Sequence, residues 1–195
     1  MELRRVIGSL RAVRYFEAER PVERAKIQVI LQAARMASRA VNVPWCKGLV
    51  LYRDQLAKEE RDALKTDWAS VEFDLAPAYI LWYHDMEARK TAIEGSRYPA
   101  VASGALQDVG AIGPGHGWSH KYVEEVILPE VLSPGLEAGP QRGGNADAAL
   151  AMQQAYLAAV DEGLGACLVP FTEEAAQRLL GVPETWEAIA ARPLG

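Results

Sequence analysis

Cysteine is scarce in this chain of 195 residues: Cys46 and Cys167 are its two thiols. They are too few and too far apart to form a disulfide framework or a zinc site of the paired-cysteine kind. No apolar run approaches the roughly 20 residues that a membrane span requires, so no membrane partner is expected. Positive charge is also in deficit, with a net charge of -5, and the lysines and arginines are interspersed with acids. That excludes the basic face a nucleic-acid binder needs to neutralise phosphates. The opening Met1-Glu2-Leu3-Arg4-Arg5 does not read as a secretory leader, and together these absences predict a reduced, cytoplasmic protein. What the chain does have is apolar residues, half of the total, enough for one substantial core. A single domain over 1–195 is expected.

Hydrophobic spacing sets out the elements. Leu3, Val6, Ile7 and Leu10 predict an amphipathic first helix ending near an arginine-containing turn. Pro21 suits the first position of a second helix, whose buried stripe is Ile27, Ile30, Leu31 and Ala34. Leu49 to Tyr52 reads as a strand, Asp54 to Lys65 as a charged helix, and Ala78 to Tyr83 as a fully buried strand. Residues 94–144 collect glycine and proline, and loops of that length are typically lids or interface elements. Ser119 would cap a short helix within it. From Ala146 to Glu162 small and apolar residues cover so much of the helix that burial on more than one side is expected. Gly163 then supplies a left-handed cap, Ala166 to Val169 a strand, Thr172 a helix start, Gly181 and Pro183 its end, and Trp186 to Ala191 the last strand.

Several residue groups are candidates for chemistry. Arg11 and Arg14, three apart at a helix end, could present two guanidinium groups to a phosphate; the plainer reading is two solvated surface arginines. His116 and His120 have the spacing of a helical metal pair, but Gly115 and Gly117 argue against a helix, and no metal site is expected. Gly113-Pro114-Gly115-His116-Gly117 lacks the lysine of a phosphate-binding loop. Both cysteines lie in or beside apolar runs and read as inert buried thiols.

The order of short motifs resembles the nitroreductase family. Leu10-Arg11-Ala12-Val13-Arg14-Tyr15-Phe16, followed by Pro21-Val22, stands where that family has an arginine-rich turn. Ser38-Arg39-Ala40-Val41-Asn42-Val43-Pro44-Trp45 stands where it has a Pro-Ser-x-x-Asn-x-Gln-Pro-Trp loop. The alanine-rich helix, Gly163-Leu164-Gly165, Leu180-Gly181-Val182-Pro183 and Pro193-Leu194-Gly195 complete the series. The resemblance covers about the first 85 and the last 50 residues. It departs at Leu10 and Ala12, at Ser38-Arg39, and at Val169-Pro170-Phe171, where proline has no N–H to offer a flavin. It also stops at Gly195, without the arm that relatives wrap around a partner, which leaves two alternatives for a divergent member: a C-terminal truncation, or a dimer that closes differently.

By that resemblance the fold is α+β, a central mixed or antiparallel sheet flanked by helices, in a homodimer with two sites at its interface. FMN would be held by Arg11, Ala12 and Arg14, by Ser38, Arg39, Ala40 and Asn42 of the loop, and by Leu168, Val169 and Pro170 of the strand after Gly165. The implied activity is ping-pong transfer of hydride from NAD(P)H through FMN to a nitroaromatic, quinone or related conjugated acceptor. No protein side chain is required as a catalytic group, because the flavin carries the chemistry. Two alternatives stand beside it: a flavin-dependent oxidase or dehalogenase of a specialised metabolite, and a flavin-free scaffold of the same fold.

Overall fold

The computed structural model describes residues 2–39, 45–88 and 144–195, with Glu125 alone between the last two stretches. Ser119, His116, His120 and nearly all of the expected lid, as well as Ala40 and Asn42, lie outside the described residues.

Three strands form the sheet: β1 (Cys46–Tyr52), β2 (Ala78–Asp85) and β3 (Trp186–Leu194), antiparallel, with β2 in the middle. β2 is apolar on both faces because both are covered. Tyr79, Leu81 and Tyr83 point to one core, with Leu64, Phe73 and Ala176, while Ala78, Ile80 and Trp82 point to another. The second core is closed by α2 (Arg24–Arg35), through Ile27, Ile30 and Ala34, and by the longest described helix, α5 (Gly144–Asp161), through Ala151, Met152, Ala155 and Ala159. The first is closed by α3 (Lys58–Leu64), α4 (Val71–Leu75) and α6 (Glu173–Leu180). This is the α+β arrangement expected. Among the described residues no helix is long and apolar enough to cross a membrane.

The ends of α5 fix its place. Gly163 adopts φ +77, and Leu164 N–H donates to Ala159 O (2.8 Å) while Gly163 N–H donates to Val160 O (3.0 Å). That pair of bonds is the Schellman motif, which satisfies carbonyls the helix leaves open and favours glycine at the left-handed residue. Lys26 of α2 takes the next carbonyl, its Nζ donating to Glu162 O at 2.9 Å. Near the other end, Trp45 Nε1 donates to the buried Asp147 carboxylate at 2.7 Å, tying the start of β1 to the first turn of α5.

Four expectations need correction. α2 begins at Arg24, not at Pro21: Val22 is buried, which keeps 21–23 extended so that Val22 and Ile27 enter the same core and staple the helix entry. The charged segment is split, with a 3-10 turn at Arg53–Gln55 before α3, and the short helix α4 follows it unforeseen. Residues 166–169 do not form a strand. Gly165 and Gly195 exchange backbone bonds, as do Val169 and Ala191, but the pair between them would require an N–H from Pro193, which has none. The ladder is reduced to isolated bridges, whereas β3 itself runs on to Leu194 because its amides toward β2 alternate with the proline. Thr172 occupies the cap position of α6, the helix start expected, and its hydroxyl donates to Lys65 O (2.7 Å). Finally, α5 buries one stripe within this chain and leaves Leu150 on its far side half exposed.

Candidate functional site

α1 (Leu3–Ser9) ends at Leu10, and the arginine turn follows as expected. The turn is pinned to the segment after α5. Ala12 forms an isolated parallel bridge to Ala166, outside the antiparallel sheet, and Val13 N–H donates to Ala166 O at 3.0 Å. The approach is so close that a Cβ on Gly165 would sit 2.8 Å from Val13 Cγ1 and 3.0 Å from Val13 Cβ. Gly165→Ala is therefore expected to push the turn off its seat and to destabilise the fold by about 1–3 kcal/mol. Val13→Ala in the same chain should recover most of the loss in thermal melts; no recovery would locate the strain elsewhere.

A tyrosine on α5 fastens the same two segments. Tyr156 Oη lies 2.5 Å from Arg11 O and 2.8 Å from Ala166 O; its one proton serves either carbonyl. Burial pushes its phenol upward in pKa, so it stays a donor across the neutral range.

The two arginines each have a partner within the protein. Arg11 is exposed and folds back on the end of α1, Nη1 reaching Leu10 O (2.6 Å) and Gly8 O (3.1 Å), where a cation meets the negative end of the helix. Arg14 Nη1 donates to Glu72 Oε1 at 2.7 Å. The carboxylate is 5% exposed and the arginine 53%, so a buried acid anchors a guanidinium whose remaining donors face out. The hydrogen bond and the charge of Glu72 raise the Arg14 pKa further above its ordinary value.

The segment next to the turn presents alternating faces. Leu168 and Pro170 are exposed, Val169 is buried, and its N–H is taken by Ala191 O at 2.9 Å. Pro170 has no N–H, and the Phe171 amide makes no backbone bond among the described residues. Arg14, Leu168 and Pro170 are thus half-open or open side chains on segments joined at Ala12 and Ala166.

Ser38 and Arg39 follow α2. Arg39 lines a cleft of about 160 Å³ with Arg35, Cys46, Lys47, Gly48 and Asp147. That volume is below the usual range for an organic ligand. Among the described residues no group of three histidines, cysteines or acids is arranged for a metal. Burial pushes both thiols up to about 11, Cys167 within the first core and Cys46 beside the cleft, which keeps them protonated and unreactive near neutrality.

Three residues of this region were not singled out from sequence. Glu72 and Tyr156 carry no sequence signal, one lying between Val71 and Phe73 and the other in an alanine-rich helix. Arg192 does carry one: it is the lone cation of β3, set in the apolar stretch that follows Glu187. It is 2% exposed, its Nη2 donates to Met152 O (3.1 Å), and its Nε and Nη1 have no partner among the described residues. The guanidinium lies over the Tyr156 ring, 4.4 Å from the centroid. Burial lowers its pKa to about 10.

A model of the nitroreductase family matches residues 130–195. No curated protein matches the chain. Among solved structures, a nitroreductase family protein from Clostridium novyi aligns over 100% of this chain and 84% of its own, with 22% identity and a TM-score of 0.65. A candidate NAD(P)H:FMN oxidoreductase from Staphylococcus epidermidis aligns over 100% and 86%, with 19% identity and a TM-score of 0.72. A candidate nitroreductase from Exiguobacterium sibiricum, solved in complex with FMN, aligns over 100% and 88%, with 16% identity and a TM-score of 0.69. Likeness at this level of identity establishes the fold, which is that of the nitroreductases.

Proposed function

From a chain whose C-terminal third is nitroreductase-family sequence and whose fold is the nitroreductase fold, we propose an FMN-dependent oxidoreductase that uses NAD(P)H to reduce a conjugated acceptor such as a nitroaromatic or quinone. The observation that carries this reading is the half-open Arg14, anchored by buried Glu72, on a turn joined to the exposed Leu168 and Pro170. Those residues fit a flavin: a guanidinium for its polar groups, apolar side chains for its ring, and the Phe171 amide as donor. FMN, when bound, supplies the hydride chemistry, taking two electrons from NAD(P)H and passing them to the acceptor in ping-pong fashion.

The remaining work falls to the chain's own groups. Arg11, Ala12 and Arg14 bind from the turn, with Leu168, Val169 and Pro170 beside them. Tyr156 holds the turn in place, and Gly165 allows its close approach. Ser38, Arg39, Ala40 and Asn42 belong to a loop that would meet the cofactor of the partner subunit in a homodimer. The protein should purify yellow, or turn yellow on addition of FMN, and release FMN on denaturation. Protein that neither retains nor binds FMN, and does not oxidise NAD(P)H when supplied with it, would support the flavin-free scaffold instead.

The homodimer has its own support. Leu3 and Ile7 of α1, Val29 of α2 and Leu150 of α5 are large apolar residues exposed at 46–65% in the single chain. A mostly apolar hollow of about 370 Å³ opens between the same helices, lined by Leu3, Val6, Ala33, Leu157 and Ala158 together with Gln154 and Asp161. Burying such a surface favours self-association. Leu3→Glu with Ile7→Glu should halve the mass measured by light scattering and weaken FMN retention. A wild type that runs as a monomer at all concentrations would exclude the dimer.

A further inference from the structure

A buried cation without a counter-charge lies behind the arginine turn. Arg192 has two of its three guanidinium nitrogens unpartnered, and among the described residues no carboxylate pairs with it. Its electrostatic neighbours are Tyr156 and Cys167, both kept neutral by burial. The hydrogen bond it makes goes to a carbonyl inside α5, where the helix's own amide four residues on already supplies a donor. Apart from its stacking on Tyr156, no contact among the described residues calls for a positive charge there.

The surroundings suggest what the charge acts on. The guanidinium stacks on Tyr156, and the hydroxyl of that tyrosine touches Arg11 O and Ala166 O, the backbone of the turn and of its neighbour. Along that chain of contacts Arg192 is within about 10 Å of the turn, a separation at which exposed charges are screened but buried ones much less so. The other two cations contribute less net charge. Arg14 is offset by Glu72, and Arg11 is out in solvent.

We propose that Arg192 is a positioning residue that sets the sign of the potential at the arginine turn, and that its buried, uncompensated charge favours a phosphate group there without touching it. The proposal rests on the flavin reading and identifies the part of the ligand concerned: the phosphate of FMN rather than its ring.

The test compares FMN with riboflavin, which differ by that phosphate, in fluorescence titrations of the full-length apoprotein. Arg192→Met should reduce the ratio of FMN to riboflavin affinity by about tenfold, the size of a charge interaction at this separation in a protein-like medium. Arg192→Lys, which keeps the charge, should hold the ratio within about threefold of wild type. A merely structural role would weaken both ligands alike and leave the ratio unchanged, which would overturn the proposal. Arg192→Lys behaving like Arg192→Met would overturn it too, since shape and not charge would then be at work. If wild type binds neither flavin, the same three proteins are titrated with pyrophosphate. Binding that Arg192→Met weakens and Arg192→Lys retains upholds the cation and removes the flavin; absent or unaffected binding removes the cation as well.

Discussion

Arg192→Met should make the protein more stable. A guanidinium taken out of water without a carboxylate costs several kcal/mol even after relaxation. Arg192 recovers part of that through one hydrogen bond and through its stacking on Tyr156, the latter being about 2 kcal/mol for a desolvated cation over an aromatic face. Methionine fills most of the same volume, keeps a favourable sulfur contact with the ring and carries no charge to desolvate. The expected gain is about 1–4 kcal/mol, each kcal/mol raising Tm by about 2–4 °C in a chain of this size. Differential scanning calorimetry reads it directly. A lower Tm for the variant would mean that the guanidinium is satisfied in the folded protein, and the view of Arg192 as a charge retained at the expense of stability would fall. A more stable variant with poorer FMN discrimination would display that trade in one side chain.

Arg14→Ala should have the largest effect on the site. Charge-assisted bonds from an arginine to a ligand account for about ten- to a hundredfold in affinity, so FMN retention should fall by that factor. The same substitution also strips Glu72 of its cation and leaves a buried carboxylate alone, so the single variant should melt at lower temperature than wild type. Loss of binding could then be ascribed to loss of structure. Arg14→Ala with Glu72→Gln separates the two, because the amide removes the stranded charge. The double variant should melt near wild type and still bind FMN weakly. If binding returned along with stability, Arg14 would be a structural partner of Glu72 and no part of the cofactor site.

Local sequence specified a large share of the fold. The stripes at Ile27, Ile30 and Ala34, the unbroken apolar run of β2 and the glycine ending α5 each depend on neighbours a few residues away, and a short window of sequence contains all that such an element needs. Where a window was read wrongly, a tertiary contact had intervened. Pro193 removed a ladder bond from 166–169, and the burial of Val22 moved the start of α2. The candidate site follows the same division. The arginine turn, Ser38-Arg39 and the Leu168-Pro170 segment were legible as motifs. Their union at Ala12 and Ala166 was not, nor was the anchoring of Arg14 by a residue 58 positions away.

What the sequence alone determined is therefore which segments are helix or strand and which short motifs they carry, since both follow from propensity and periodicity along the chain. Only the tertiary structure decided how charge is distributed around the turn: a neutralised Arg14, a solvated Arg11 and a buried Arg192 with no counter-ion among the described residues. The physical reason is that the effect of a charge depends on burial and on partners brought from other elements, and neither quantity exists until the chain has folded.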